Sequence, residues 1–221
     1  MSVAALLLAD ARFPAGGHAH SGGLEPAAAV GSVTDLPSLE LYLRGRLRTA
    51  GLSAAGLAAA ACALASREVA AWDELDAEAD ARTPSPAQRE ASRRQGRALL
   101  RAARAAWPDA RWRDGLGRRP HHAVVLGACA AAAGCPALEA ARIAAYQAVT
   151  GPSSAAVRLL ALDPIAAAAI VARLAGEVDT VAEAAAAYAD GPLADLPFPS
   201  APALDLLAEV HARSEVRLFE S

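Results

Sequence analysis

An all-α fold is what this chain predicts, and three observations carry the expectation. The composition is 54% hydrophobic but only 4% aromatic. The apolar content is therefore mostly Ala and Leu, both strong helix formers, and Ala is a poor strand former. Apolar residues recur at three- and four-residue spacing, and no run shows the two-residue alternation of a half-buried strand. Prolines and capping residues punctuate the chain at intervals that suit short to medium helices. The expected architecture is a single-domain multi-helix bundle of about ten helices without a sheet. Residues 1–221 then form one unit, long enough to bury a substantial core.

The elements follow in order. Residues 3–9 suit a short apolar helix, and residues 10–25 form a Gly-rich loop. Thr34 and Asp35 can cap a helix whose apolar face runs Leu36, Leu39, Leu43 and Leu47, with Gly51 as its expected stop. Residues 53–65 are nearly all apolar and belong at the centre. Residues 69–81 follow as a helix with an acidic outer face (Asp73, Glu74, Asp76, Glu78, Asp80). Thr83, Pro84, Ser85 and Pro86 break the chain, and Pro86 suits the first turn of a helix over 87–106. On it Arg93, Arg97, Arg101 and Arg104 recur at helical spacing. That basic stripe reads as a solvated face, a docking surface for an acidic partner, or an internal match to the acidic helix. Gly96 within it permits close packing. Residues 109–120 make a polar loop with Arg111, Arg113, Arg118 and Arg119.

A buried helix over 121–133 stops at Gly134, Cys135 and Pro136, the last cysteine being the more accessible of the three. Helices over 137–149 and 153–162 are expected, broken at Gly151 and Pro152. Asp163 and Pro164 open a long Ala-rich helix that runs to Tyr188 or breaks near Gly176. A Pro-rich connector at 190–202 lets the segment 203–221 swing, and a final helix carries Leu204, Leu207, Val210 and His211.

Composition excludes some chemistry. Net charge is −3, so the chain as a whole is not built for nucleic acid. All its basic residues are Arg, with no Lys. A P-loop needs a Lys on the β/γ-phosphates, so nucleotide hydrolysis of that type must belong to a partner. Cys62, Cys129 and Cys135 include no C-x-x-C pair, which disfavours a structural zinc site. No signal peptide is visible. Residues 49–66 and 120–138 are uncharged and about as long as a membrane span, yet their Ala, Gly, His and Pro content fits buried helices better. A cytoplasmic protein that does not engage a membrane is expected.

The residues with chemistry are few. His18 and His20, two apart in a loop, can converge on one metal ion, and Ser21 and Glu25 are weak further ligands, so no metal is assigned. His121 and His122 are adjacent, point to different helix faces and do not chelate together. No G-x-S-x-G, H-E-x-x-H or catalytic-Cys pattern occurs, so catalysis is disfavoured. Near the terminus, Val216, Leu218 and Phe219 make an apolar tail that must dock on its own domain or on another protein.

Asp10, Pro14, Gly16, His20, Ser21, Gly23, Leu24 and Glu25 fall in a D-x-x-x-P-x-G-x-x-x-H-S-x-G-L-E pattern. Ser92, Gly96, Arg97, Leu99 and Leu100 give S-x-x-x-G-R-x-L-L. Ala155, Val157, Arg158, Leu159 and Leu162 give A-x-V-R-L-x-x-L, and Arg217, Leu218, Phe219 and Ser221 give R-L-F-x-S. In this order the motifs resemble the urease accessory protein UreF family. The chain departs from that family at His18 and Ala19 (usually an aromatic and a small hydroxyl residue), Gly23 (Tyr), Ala212 (Glu) and Asp163 (Gly).

The resemblance implies a non-catalytic assembly factor for GTP-dependent nickel insertion into apo-urease. It would bridge a UreD/UreH-type scaffold and the GTPase UreG and modulate GTP hydrolysis, with nickel handled by the complex and no cofactor held firmly. It further implies a homodimer, scaffold contact through Arg217, Leu218, Phe219, Val216 and His211, and a GTPase-facing or nickel-passage loop at Pro14, Gly16, His20, Ser21 and Glu25. Two other readings stay open on the residues alone. One is a helical ligand-binding transcriptional regulator, which would need a DNA-reading helix-turn-helix. The other is a His-dependent metal hydrolase, which would need more ligands around His18 and His20.

Overall fold

The computed structural model describes residues 2–67, 71–110, 115–215 and 217–219. Among them there is no strand. The helices are α1 (Val3–Ala9), α2 (Leu24–Ala29), α3 (Leu36–Arg46), α4 (Leu52–Leu64), α5 (Trp72–Ala81), α6 (Pro86–Ala106), α7 (His122–Ala132), α8 (Ala137–Leu160), α9 (Pro164–Arg173), α10 (Ala175–Ala186) and α11 (Pro202–Ala212). Several of their starts are capped by side chains. Asp35 and Ser38 form a reciprocal capping box on α3, Ser85 caps α6 with Pro86 in the first turn, and the Asp163 carboxylate accepts the Ile165 N–H to open α9. Asp163, a departure from the family pattern, is thus a helix cap.

The all-Ala stretches pack where backbones touch. α4 sits centrally against α7, α8 and α10, and from Ala55 to Ala61 almost every residue is buried. A buried Ala contributes far less transfer free energy than a Leu, so such a core gains its stability from close approach and dense contact. At the α4–α7 crossing a Cβ on Gly127 would lie 2.1 Å from the Ala58 carbonyl oxygen. On α6, a Cβ on Gly96 would lie 2.1 Å from the Pro120 carbonyl oxygen. At each point two main chains meet with no room for a methyl group.

Two expected breaks are absent. Gly51 does not stop its helix; residues Leu47–Gly51 form a π-helical turn that carries α3 straight into α4. Gly51 is right-handed (φ −64°, ψ −45°), and a Cβ there would come within 3.2 Å of Ala148 on α8. Its role is close packing. Nor do Gly151 and Pro152 split α8, which runs unbroken from Ala137 to Leu160. Proline removes the N–H that would have bonded the Ala148 carbonyl four residues back. Arg46, at the end of α3, replaces it by donating from Nε to that oxygen at 3.2 Å.

The Ala-rich helix after Pro164 does divide, at Leu174, two residues before Gly176. Residues 190–201 are tied down: the buried Arg82 guanidinium donates to the carbonyls of Ala194 (2.9 Å) and Leu196 (2.8 Å). The swinging connector expected there is therefore anchored at its middle. Cys135 is also buried, contrary to expectation, and burial raises its thiol pKa. The continuous helix Leu36–Leu64 is long and apolar enough to cross a membrane, but two-thirds of its most apolar window is buried, as in a core helix.

Candidate functional site

The Gly-rich loop crosses the seam where Arg46 and Pro152 meet. Gly22 and Gly23 both have positive φ (62° and 87°), where any Cβ is strained, and a Cβ on Gly22 would strike the Pro152 ring and the Arg46 guanidinium. Tyr42 on α3 donates its hydroxyl to the Gly22 carbonyl at 2.9 Å. That oxygen also lies 2.9 Å from where a Gly23 Cβ would be, so a neighbouring tyrosine fills the space of the side chain missing at 23. Ser21 is fully buried, and its Oγ accepts the Glu25 N–H at 3.1 Å. It therefore serves as a hydroxyl cap for the start of α2.

Glu25 joins the loop to the far end of the chain. Its carboxylate accepts the N–H groups of Leu218 (2.8 Å) and Phe219 (2.9 Å) and the Nε2–H of His211 (3.0 Å). Bonds to an ionised acceptor are the stronger kind, so one side chain organises three donors. The Phe219 ring is buried, with the Arg158 guanidinium 4.5 Å from its centroid. Arg158 also donates to the His18 carbonyl at 3.4 Å. Loop and tail, singled out as separate surfaces, form one site.

The tail therefore docks on its own domain. His211 and Phe219, expected at a partner contact, are 4% and 5% exposed and face inward. Arg217 and Leu218 are exposed, Leu218 at 71%. Val216 lies outside the described residues. On the outer face of α11, Leu206 and Val210 are also exposed, four residues apart.

A cleft of about 320 Å³ runs between the loop, α6, α8 and α11, and its walls include His18, His20 and His122. His18 is exposed, whereas His20 and His122 are partly buried. Burial, and secondarily the neighbouring His20, push the His122 pKa down to about 4. Pro14 is exposed and Gly16 takes the left-handed turn into a short 3-10 segment (Gly17–Ala19). The sequence sets His122 on a different face from His121, but its place in one cleft with His18 and His20 depends on tertiary packing.

His121 turns the other way. Its Nε2–H donates to Asp80 (2.9 Å), its Nδ1 accepts from Ser92 Oγ (3.0 Å), and Ser92 Oγ accepts the His122 N–H (3.2 Å). Burial lowers the His121 pKa, so the ring is held neutral, as these bonds require. Ser, His and Asp in contact suggest a hydrolytic triad, but the ring is 2% exposed and the hydroxyl serves as a helix cap. Asp76, Asp80 and His121 also present ligand atoms within 4.8 Å of one another. Arg93 bonds both carboxylates (2.8 and 2.7 Å) and occupies the cation's place. Ser92 and Gly96, one turn apart, thus explain the S-x-x-x-G spacing: one caps α7, the other lets its entry approach.

The stripe on α6 divides accordingly. Arg93 is the internal match to α5, while Arg97, Arg101 and Arg104 stay exposed. From the sequence, no role was assigned to Arg46, Tyr42 or Arg158, although Arg158 stands in the A-x-V-R-L-x-x-L motif. Arg158 had a signal, a lone charge within the apolar V-R-L-L run; the other two had none.

The profile of the UreF family matches residues 33–175. The chain is 49% identical over 216 residues to the urease accessory protein UreF of Mycobacterium marinum, covering 98% of this chain and 97% of that one. It is equally similar to that of Mycolicibacterium vanbaalenii, with the same coverage. It is 47% identical over 221 residues to that of Mycobacterium tuberculosis, covering 100% and 99% of the two chains.

Proposed function

We propose, on the premise that this chain belongs to the UreF family and so serves urease maturation as an accessory protein, that it bridges a UreD/UreH-type scaffold and a UreG-type GTPase during nickel insertion. It is not an enzyme, and both the transcriptional-regulator and the metal-hydrolase readings give way to that membership. What remains to be assigned is how its surfaces are used.

The observation that supports the reading is the Glu25 bracket, which ties the terminal segment, with Leu218 exposed, to His211 of α11, where Leu206 and Val210 are exposed as well. Exposed apolar side chains gain about 25 cal/mol for each Å² a partner removes from water. Arg217, next to Leu218, adds an exposed guanidinium. In this reading the scaffold covers α11 and the terminal segment, and the loop around His20 faces the GTPase or the path of the nickel cargo. The lack of Lys supports the division of labour, because the phosphate-cradling lysine must come from the GTPase. A homodimer in the cytoplasm completes the proposal.

A pull-down with the scaffold tests it. Truncation before Val216, or Leu206→Asp with Val210→Asp, is expected to lower scaffold retention about tenfold or more. Undiminished retention by both variants would remove this surface from the proposal.

A further inference from the structure

The end of α6 carries a feature that urease maturation as outlined does not use. Arg97, Arg101 and Arg104 share one helix face at i, i+4 and i+7, and Arg118 joins them from the loop before α7. Together with Leu100 and Ala105 they line a surface groove. Along the same helix, Arg89, Arg93 and Arg94 each have a carboxylate within 4 Å. None of the four groove arginines meets one among the described residues, and all four are exposed. Like charges at these spacings repel, so the helix bears a small cost that nothing within the described chain offsets.

We propose that this groove is a docking site for a carboxylate-rich segment of a partner protein. A guanidinium is planar and binds carboxylates bidentately, so four of them on two elements suit discrete Asp and Glu side chains. Leu100 and Ala105 between them give the aliphatic stems of such residues an apolar contact. Single-stranded nucleic acid fits less well. It calls for aromatic platforms, and none of the residues lining this groove is aromatic, on a chain whose net charge is −3. The site is separate from the α11 surface, so it stands whether or not the scaffold binds there.

The test is fluorescence anisotropy of the full chain with a fluorescein-labelled glutamate–leucine peptide at low ionic strength. Saturable binding is expected, weakened about tenfold or more in the combined R97Q, R101Q and R104Q variant and by raising NaCl to about 150 mM. Arg142→Gln, whose arginine pairs with Asp179 on another face, should bind as the parent does. Should the triple variant melt early, the single exposed change Arg101→Glu is read instead, with the same expectation. Absence of saturable binding overturns the proposal, as does binding that these variants leave intact. A single-stranded thymidine oligonucleotide held more tightly than the peptide, through the same arginines, overturns it too.

Discussion

The α4–α7 crossing and the loop–tail cleft are held together by opposite means. At the crossing, backbone lies on backbone because Gly127 has no side chain, and its neighbours there are Ala58 and Ala61. At the cleft, Glu25, His211 and Arg158 gather segments from both ends of the chain, and His18, His20 and His122 stand in the walls. The first arrangement tolerates no added atom. The second depends on charge and on protonation, and can be altered without unfolding the rest.

The largest effect should come from breaching the crossing. Gly127→Val places atoms inside the Ala58 carbonyl, and a loss of at least about 3 kcal/mol, or of soluble protein, is expected in urea denaturation. A loss under about 1 kcal/mol would show that the helices can slide apart.

Acid should act on the cleft through His122. With its pKa near 4 when folded and 6.5 when unfolded, His122 takes up its proton first in the unfolded chain as pH falls. Stability is then complete above about pH 6.5 and declines toward pH 4, by about 2–3 kcal/mol at pH 4.5. His121 shifts in the same direction. Melting curves between pH 7.5 and 4.5 should show this decline, and His122→Gln should flatten it.

Arg46→Met strips the Ala148 carbonyl of its donor, and an orphaned acceptor costs about 1–3 kcal/mol. Thermal melts measure that loss. If Arg46→Met melts like the parent, water has replaced the guanidinium. The smallest global change is expected from Glu25→Ala: a shift in Tm of only a few degrees, with amide exchange at Leu218 and Phe219 faster by about tenfold or more. Unaltered exchange would mean that the Phe219 ring alone holds the tail.

What was readable in the sequence was local. Asp35, Pro86 and Asp163 announce their helices because a cap acts within four residues. The bundle follows from Ala, Leu and spacing. Pro152 misled because its compensation lies 102 residues away from the orphaned carbonyl, in a side chain with nothing unusual around it. Gly51 misled because a stop and a close contact call for the same residue. The site was half legible: the loop and the tail each stood out, but their union through Glu25 depends on tertiary geometry. His211 and Phe219 were assigned to a partner contact for the same reason.

Glu25 leaves the ribosome early, and the Phe219 amide that completes its coordination is added 194 residues later. During translation the Glu25 carboxylate therefore stays hydrated until the Phe219 amide has emerged, so loop and tail can meet only after the helices between them have been made.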